Sequence, residues 1–514
     1  MTEGMEMRRI TGALCAFLLI AAVPVSGSET ELPLGISGLS ETRSSETVAP
    51  GVTYTRIERG FSSEIDHWSV DVAVVPTRAE AEAIANDLES AGYDALIVEL
   101  AAAPDDPRPG PSGFVVRSGE FETQAEADVR TQELRTRGYA SARSVFTANV
   151  GEPTTGPFVV HVLTVDPRVL EGNLVPELAT GIVPEREKLT DMVRRTGAEL
   201  GINAGYFVIG EQDGTPGDLA GISVLEGELV SEAVNGRTSL LVRPNARADV
   251  ATLDTALSST VDGRNMLVDG YNREPGEIRS CGGVGGDVPT ELPRHDFTCT
   301  DDSELIYFTP AFGSATAPGP GAEVTLDRSG RVLAVSEERG GPIPPNGNAL
   351  SATGDEAQAL LDAADVGDRV RVNATVLENG REVVLRDRLG GVNGGPLLVE
   401  RGRDRITAFA EGFVHADNPS FFYGFGISRN PRTIAGITAR GELLLVAIDG
   451  RQPGYSVGAS FDEEAGVMRA LGAVDAVNLD GGGSTTLVID GELVNRPSDA
   501  TGERPIGDAL LLFE

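Results

Sequence analysis

The sequence predicts an α+β protein in which a small four-stranded α/β sandwich precedes a large, strand-rich domain. Residues 66–147 contain an internal repeat, and each copy has the pattern strand, helix, strand. From residue 158 onward, short apolar runs alternate with turn residues, and helical patterns are few. The 63 glycines and 30 prolines among 514 residues also favour many turns, which suit sheets better than helices.

The first 27 residues have the order of a secretory signal peptide. Arg8 and Arg9 precede the apolar run GALCAFLLIAAVPV, and small residues follow it. The run is too short to span a bilayer comfortably, so we expect export with cleavage near Gly27. An uncleaved membrane anchor is the alternative. Either way, the chain is predicted to act outside the cytoplasm, at the cell envelope or in secreted form.

Charge and cysteine content narrow the partners and the compartment. The formal net charge of −36 argues against nucleic acid or an anionic membrane surface as a partner. Removal of the signal would leave two cysteines, Cys281 and Cys299. In an exported protein these are predicted to form a disulfide that closes a loop rich in glycine and proline.

Residues 28–65 are rich in Ser, Thr, Glu, Gly and Pro and are predicted to be a linker. The repeat follows at 66–147. Thr77 and Thr123 occupy equivalent positions and should cap the two helices, while Gly92 and Gly138 should end them. Two such units would form a four-stranded sheet backed by two helices.

The repeat, with VVRSGEFETQAEA and LRTRGY in its second copy, resembles a SPOR domain of bacterial envelope proteins. SPOR domains bind peptidoglycan glycan strands that lack stem peptides. The resemblance therefore implies peptidoglycan as a partner. A small α+β domain that only spaces or dimerises the chain is the alternative.

Five segments of the second domain place polar residues and glycines directly after an apolar strand. Loops at strand ends position binding groups on a rigid scaffold, although each segment alone also fits a hairpin turn. The candidate residues are Asn203 and Gly205 in GINAGYF; Asn393 and Gly394 in GGVNGGPLLV; Arg432 in SRNPRTIAGI; Asp449 and Arg451 in VAIDGRQPGYSVG; Asp480, Gly481, Gly482 and Ser484 in VNLDGGGSTTLVIDG; and Arg496 just after the last segment.

These residue types fit one kind of ligand. Asparagines and glycine amides suit sugar hydroxyls, and Arg432, Arg451 and Arg496 suit a phosphate because a guanidinium offers two donors. Asp449 and Asp480 are candidates for nucleophile or general base at a sugar carbon. A phosphate leaves with little help, so arginines that stabilise its charge could replace the usual protonating acid.

The motifs INAGYF, NGGPLLV, NPRTIAGI, DGRQPGYSVG, VNLDGGGSTTLV and NRPSDATGERPIGDALL resemble, in this order, those of the phosphodiester glycosidase family. The resemblance extends over residues 158–514 and implies hydrolysis of a sugar from a sugar–phosphate diester. It leaves the sugar open. The cleft that it implies contains Asn203, Asn393, Arg432, Asp449, Arg451, Asp480 and Ser484.

Two further patterns have simpler interpretations. His161 lies on a strand pattern and is predicted to be a core residue. The acidic residues of 210–218 have calcium-like spacing but lack the full loop signature with its distal glutamate. A turn is favoured there and a calcium site is the alternative; no other cofactor is predicted.

The predicted function is that of an exported hydrolase which cleaves a sugar from a glycosyl phosphodiester in cell-wall or exopolysaccharide glycans. The SPOR-like domain would hold it at peptidoglycan. Two alternatives remain: a non-catalytic protein that binds cell-wall glycan, and a polysaccharide assembly factor whose glycine loops bind a growing polymer.

Overall fold

The computed structural model describes residues 30–211, 214–234, 236–279, 286–289, 298–386 and 388–514. The predicted signal peptide therefore lies outside the described residues, as does Cys281. Within the described ranges, none of the helices has the length and apolar character needed to cross a membrane.

The segment predicted to be a linker forms the first two strands, β1 (Glu41–Ala49) and β2 (Val52–Arg59). They pair as an antiparallel hairpin, and β2 pairs along its whole length with the strand Phe158–Val165 of the second domain. Ile57 is completely buried in the core of that domain. The linker prediction is thus wrong for residues 41–59, which form an edge of the large sheet.

The repeat folds as β3 (Trp68–Val75), α1 (Arg78–Ser90), β4 (Leu96–Leu100), β5 (Gly113–Phe121), α2 (Gln124–Thr136) and β6 (Arg143–Phe146). The sheet is antiparallel in the order β4-β5-β3-β6, with both helices packed on one face. Thr77 and Thr123 cap the two helices, as predicted, and each forms a capping box with the glutamate three residues later. Gly92 and Gly138 follow the helices with φ of +85° and +114°, where glycine relieves strain.

The second domain is built mainly of strands, which confirms the predicted α+β class. Its strands are β7 (Phe158–Val165), β8 (Asn173–Leu178), β9 (Leu200–Asn203), β10 (Ser223–Leu225), β11 (Glu228–Ser231), β12 (Arg237–Val242), β13 (Ala248–Val261), β14 (Arg264–Leu267), β15 (Gly270–Tyr271), β16 (Glu277–Arg279), β17 (Val288–Pro289), β18 (Thr298–Thr300), β19 (Leu305–Phe308), β20 (Gly319–Asp327), β21 (Val332–Arg339), β22 (Gly347–Ala352), β23 (Val370–Glu378), β24 (Arg381–Glu382), β25 (Gly390–Asn393), β26 (Leu397–Glu400), β27 (Arg403–Asp404), β28 (Arg432–Thr438), β29 (Leu443–Ile448), β30 (Ala473–Asn478), β31 (Leu487–Ile489), β32 (Glu492–Leu493) and β33 (Asp508–Phe513). Its helices are α3 (Leu189–Thr196), α4 (Gly354–Ala363), α5 (Pro419–Phe422) and α6 (Phe461–Ala470), and a π-helical turn (Tyr423–Ile427) continues α5.

Two sheets of this domain carry the site. The larger has the order β1-β2-β7-β29-β28-β30-β26-β27, and the smaller has the order β32-β31-β9-β33-β8. Leu445 on β29 and Leu510 on β33 belong to one buried cluster, which joins the two sheets face to face. The described strands from β10 to β25 form three further sheets beside this sandwich.

Antiparallel pairing brings the sequence motifs to one end of the sandwich. Arg432 opens β28 and pairs with Ile448, the last residue of β29. On the other side of β28, Ile434 pairs with Asn478, the last residue of β30. The loops after β29 and β30 therefore leave the sheet beside the start of β28. Asn203, at the end of β9, joins them from the smaller sheet.

Candidate active site

A cavity of about 240 Å³ opens at this end of the sandwich. One part of its lining is polar and carries Asp480 with three arginines; the other part is aromatic and aliphatic. The lining residues are Tyr206, Phe207, Ile209, Ala220, Phe421, Phe425, Asn430, Arg432, Arg451, Asp480, Gly481, Gly482, Gly483 and Arg504. Four other clefts in the described chain are lined by none of the predicted site residues, so we take this cavity as the candidate site.

Asp480 is the only acidic residue among the described residues that line the cavity. The N–H and the carbonyl of its backbone both form hydrogen bonds. Its N–H donates to the Ala204 carbonyl at 2.9 Å, and its carbonyl accepts from Asn203 Nδ2 at 2.6 Å. Asn203 is itself fixed, because its Oδ1 accepts from Thr433 and from the Thr486 N–H. Asn203 thus positions the Asp480 loop from behind and does not line the cavity.

The glycines after Asp480 let the loop lie directly on β28. A Cβ on Gly481 would sit 2.7 Å from the Pro431 carbonyl oxygen, a backbone atom that cannot turn away. Gly482 has a φ of +62° and donates its N–H to the same carbonyl at 2.8 Å. These glycines were predicted to bind substrate, and the structure shows that they permit close contact of the loop with Pro431.

Arg432 is completely buried and held on several sides. Its Nε–H donates to the Ala459 carbonyl and its Nη2 to the Phe425 carbonyl at 2.6 Å. The guanidinium lies over the Phe461 ring, 4.7 Å from its centroid. Desolvation lowers the pKa of Arg432, and the carboxyl oxygen of Glu464 lies 2.8 Å from its Nε.

The two other arginines approach from different loops. Arg451 donates from Nε and Nη2 to Asn430 Oδ1, and its backbone has a φ of +57°, which is unusual for an arginine. Arg504 forms a two-pronged ion pair with Asp499. Desolvation, together with the charges of Arg432 and Arg504, lowers the pKa of Arg451. Three guanidinium groups against one lining carboxylate make the cavity suited to an anion.

Asp449 occupies a different place from the one predicted. It is completely buried, and Tyr455 Oη, Asn495 Nδ2 and the Arg496 N–H all donate to its carboxylate. His161 Nε2 lies 3.1 Å from Oδ2, and His161 is buried as predicted. The carboxylate is enclosed and does not line the cavity. The predicted catalytic role of Asp449 is therefore corrected: Asp449 holds the loops that carry Arg451 and Arg496.

Other predicted binding residues form a layer behind the lining. Asn393 exchanges two hydrogen bonds with the backbone of Tyr206, which lines the cavity. Gly205 donates its N–H to Asp508. A Cβ on Gly394 would lie 2.7 Å from the Asn478 carbonyl oxygen, so this glycine permits close backbone packing.

Two predicted binding residues do not reach the cavity. Ser484 is completely buried, and its hydroxyl has no hydrogen-bond partner among the described residues. The Arg496 guanidinium lies over the Tyr455 ring, 4.9 Å from its centroid. The structure brings together Asp480, Arg432, Arg451, Gly481 and Gly482, and it places the remaining predicted residues behind or beside them.

Several lining residues were not predicted. Arg504 lies within the quoted motif NRPSDATGERPIGDALL, and Asn430 lies within SRNPRTIAGI, but neither was singled out as a site residue. Phe421 and Phe425 belong to the aromatic run FFYGF just before that motif. This cluster of rings next to a polar loop was the available signal.

The possible metal ligands lie away from this cavity. In the part of the chain that the structure describes, Asp287, Asp301 and Glu304 place one oxygen each within 4.8 Å of one another. Both Glu304 oxygens accept hydrogen bonds, from Arg273 and from the Gly276 N–H. Residues 212 and 213 of the calcium-like segment 210–218 lie outside the described residues. Cys281 also lies outside the described residues, so the disulfide between Cys281 and Cys299 stays a prediction. Cys299 is buried.

Fold and cavity together define an α+β domain suited to hold an anion beside one carboxylate. A family model described as Phosphodiester glycosidase matches residues 320–513, and one described as SPOR domain matches residues 65–144. The crystal structure of a protein from Burkholderia pseudomallei K96243, named as a presumed exported protein, matches with 35% identity and a TM-score of 0.85. That match covers 94% of this chain and 98% of the other. The chain therefore contains a phosphodiester glycosidase domain over residues 320–513 and a SPOR domain over residues 65–144.

More distant matches show less about this chain. A hypothetical protein from Synechocystis shares the fold with a TM-score of 0.53 at 19% identity, over 93% of this chain and 80% of the other. The N-acetylglucosamine-1-phosphodiester alpha-N-acetylglucosaminidase of Mus musculus is 41% identical over 68 residues, which are 13% of this chain and 13% of that enzyme. The chain thus matches only a small part of the curated relatives.

Behind the cavity, Asp508 is a buried carboxyl group that the sequence motifs did not single out. Its Oδ1 accepts the Gly205 N–H at 2.7 Å, and its Oδ2 has no hydrogen-bond partner in the described chain. Desolvation, with a smaller contribution from the charge of Asp480, raises the pKa of Asp508 to about 7. Asp508 is therefore protonated in the folded protein at pH values where it is ionised in the unfolded chain.

This difference predicts a pH dependence of stability. Between pH 4 and 7 the folded state holds a proton that the unfolded state lacks, so this group's contribution to stability falls as pH rises. Asp508→Asn removes this difference in protonation between the folded and unfolded states. The free energy of unfolding of the variant, relative to that of the wild type, should rise by up to about 1.4 kcal/mol per pH unit across this range. Denaturant unfolding at several pH values measures it; a constant difference would contradict the assignment.

Proposed function

We propose that the chain is a hydrolase that releases a sugar from a glycosyl phosphodiester. The observation that carries the proposal is the cavity itself, in which a single carboxylate faces three guanidinium groups within a domain of the phosphodiester glycosidase family. A glycosyl phosphodiester carries one negative charge on its phosphate, which is linked through an oxygen to the anomeric carbon of the sugar. This combination needs a cationic binding site next to a group that can act at the carbon.

The lining suggests how such a substrate would lie. Each of the three arginines is held through Nε and Nη2: Arg432 by backbone carbonyls, Arg451 by Asn430 and Arg504 by Asp499. We propose that Arg451 and Arg504 would offer their remaining N–H groups to the phosphate oxygens. Phe421 and Phe425 present an apolar wall on which the C–H face of a sugar ring could pack. The phosphate would then point to the arginines and the anomeric carbon to Asp480.

The proposed chemistry places one carboxylate at the reacting carbon. Asp480 would either attack the anomeric carbon, to form a glycosyl intermediate that water then hydrolyses, or remove a proton from the attacking water. In both routes the C–O bond to phosphate breaks and the phosphate monoester leaves with the bonding electrons. Because the arginines stabilise the departing charge, no second carboxylate is required to protonate it. This fits the absence of a second acidic residue among the described lining residues.

We further propose that the protein works at the cell envelope, where its SPOR domain binds peptidoglycan. The family of that domain and the predicted signal peptide support this placement. Full-length protein should cosediment with insoluble peptidoglycan and should bind more strongly after the stem peptides have been removed enzymatically. Equal recovery in the supernatant with and without peptidoglycan would argue that the domain has only a structural role.

The reaction itself is tested at Asp480. Asp480→Asn keeps the size of the side chain but removes its charge, so release of sugar from the methyl phosphodiester of N-acetylglucosamine 1-phosphate should fall by at least about 1,000-fold. Asp490→Asn makes the same change at an exposed turn ten residues later and should keep full activity. Free sugar is measured chromatographically, with UDP-N-acetylglucosamine as a second substrate.

The outcomes separate the possible functions. Undiminished turnover by Asp480→Asn would remove this residue from the mechanism. If wild-type protein binds the phosphodiester but releases no sugar, the alternative of a non-catalytic glycan-binding protein is favoured. Transfer of the sugar to another glycan, instead of to water, would favour an assembly factor.

A further inference from the structure

The second face of the SPOR sheet is covered by the catalytic domain. The helices α1 and α2 pack on one face, and the segment Pro419–Ile427 lies on the other. Tyr423 is only 1% exposed and belongs to a buried cluster with Val115 and Val145 of the sheet. A Cβ on Gly113 would lie 2.6 Å from Pro419 Cβ, so the two segments of the backbone approach closely. This contact is a packed interface.

A hydrogen-bonded ion pair lies at the centre of the contact. Tyr423 Oη donates to Asp71 Oδ2 at 2.7 Å and accepts from Arg117 Nη2 at 2.9 Å. Arg117 Nε also donates to Asp71 Oδ1 at 2.9 Å, and both charged residues are almost fully buried. The Arg143 guanidinium lies over the Tyr423 ring. Breaking one member would leave a buried charge short of a partner, so the network favours a single orientation of Tyr423.

The opposite side of the same segment forms part of the cavity. Phe421 and Phe425, on either side of Tyr423, supply its apolar wall. The segment includes a π-helical turn. This geometry is rare in proteins as a whole, but where it occurs it is often at a functional site. Interactions with the SPOR domain therefore act directly on a segment that lines the site.

The backbone of this segment also orients the cationic side chains. The Phe425 carbonyl accepts from Arg432 Nη2 at 2.6 Å, and the Gly424 carbonyl accepts from Asn430 Nδ2 at 3.0 Å. Asn430 in turn accepts two hydrogen bonds from Arg451 through Oδ1. A continuous set of contacts thus connects Asp71 of the SPOR domain to Arg451 in the cavity.

We propose that Asp71, Arg117 and Tyr423 are positioning residues for the active site, so that the SPOR domain completes the substrate-binding surface of the catalytic domain. The proposal rests on the hydrolase function proposed above for this cavity. Asp480 does not depend on the segment, because its backbone is held by Asn203 and Ala204. Loosening the segment should therefore weaken substrate binding more than it slows the chemical step.

Tyr423→Phe tests the proposal, because it deletes only the hydroxyl and keeps the ring. We expect KM for the sugar phosphodiester to rise on the order of 10-fold, with kcat within about three-fold of wild type. Amide hydrogen exchange over residues 419–427 should become faster. Asp71→Asn is a second variant of nearly unchanged size, and it should show the same split between KM and kcat.

Tyr139→Phe is the matched control. Tyr139 Oη also donates to a carboxylate of the SPOR domain, Asp87 Oδ2, at 2.7 Å, but this bond lies at the exposed surface of the helices. The control should leave KM and the exchange of residues 419–427 unchanged. If Tyr423→Phe and Asp71→Asn have the KM of the control, the positioning role is overturned, even if their thermal stability is lower.

A failure of the proposed function can be told apart from a failure of this inference. If wild-type protein releases no sugar, the hydrolase proposal fails, and the affinity of the cavity for inorganic phosphate, measured by calorimetry, takes the place of KM. Weaker phosphate binding by Tyr423→Phe, but not by Tyr139→Phe, supports the positioning role. Equal phosphate affinity of the two variants, or no phosphate binding by wild type, overturns it.

Discussion

The antiparallel pairing of β28 with both β29 and β30 is the constraint on which the site depends. It sets the first residue of β28 beside the last residues of its two neighbours, and three loops then meet at one end of the sheet. A shift of the register by one residue would turn Arg432 from the interior to the opposite face. The buried side chains of the sandwich therefore determine, through the register, where the arginines stand.

Most polar residues of the motifs support the site without facing the cavity. Asn203 fixes the Asp480 loop, Asn393 fixes Tyr206, and Asp449 joins the loops of Arg451 and Arg496. All three are almost fully buried. Because a buried polar group must find partners, such residues specify loop conformation closely. The same residue types also suit sugar recognition, which explains why they were predicted to bind substrate.

Local sequence patterns were sufficient for the repeat domain but only partly for the site. Its caps, its glycines and its helical spacing are all local signals, and the structure confirms them. Asp449 and Asp480 have the same local pattern, a carboxylate followed by glycine after an apolar strand. Their difference arises from distant residues: His161 lies beside Asp449, whereas the loop of Asp480 opens into the cavity. No local pattern contains that information.

Two other features could not be predicted from local sequence patterns either. Strand β1 has a largely exposed, polar sequence, because it is the edge of a sheet and buries little. Apolar residues are few in the hairpin, and those that the structure buries are Ala49, Val52, Tyr54 and Ile57. The contact of Asp71 with Tyr423 joins positions 352 residues apart. This contact forms only when two folded surfaces meet. The role that we propose for the SPOR domain therefore cannot be predicted from the sequence of that domain alone.

The central claim is that the cavity holds a glycosyl phosphodiester with its phosphate on the arginines and its anomeric carbon at residue 480. The most direct test is a crystal structure of the full-length Asp480→Asn protein with the methyl phosphodiester of N-acetylglucosamine 1-phosphate. We predict phosphate oxygens within hydrogen-bond distance of Arg451 and Arg504, and the anomeric carbon nearest to the side chain of residue 480. A sugar phosphate bound elsewhere, or bound here with its phosphate away from the arginines, would contradict the account.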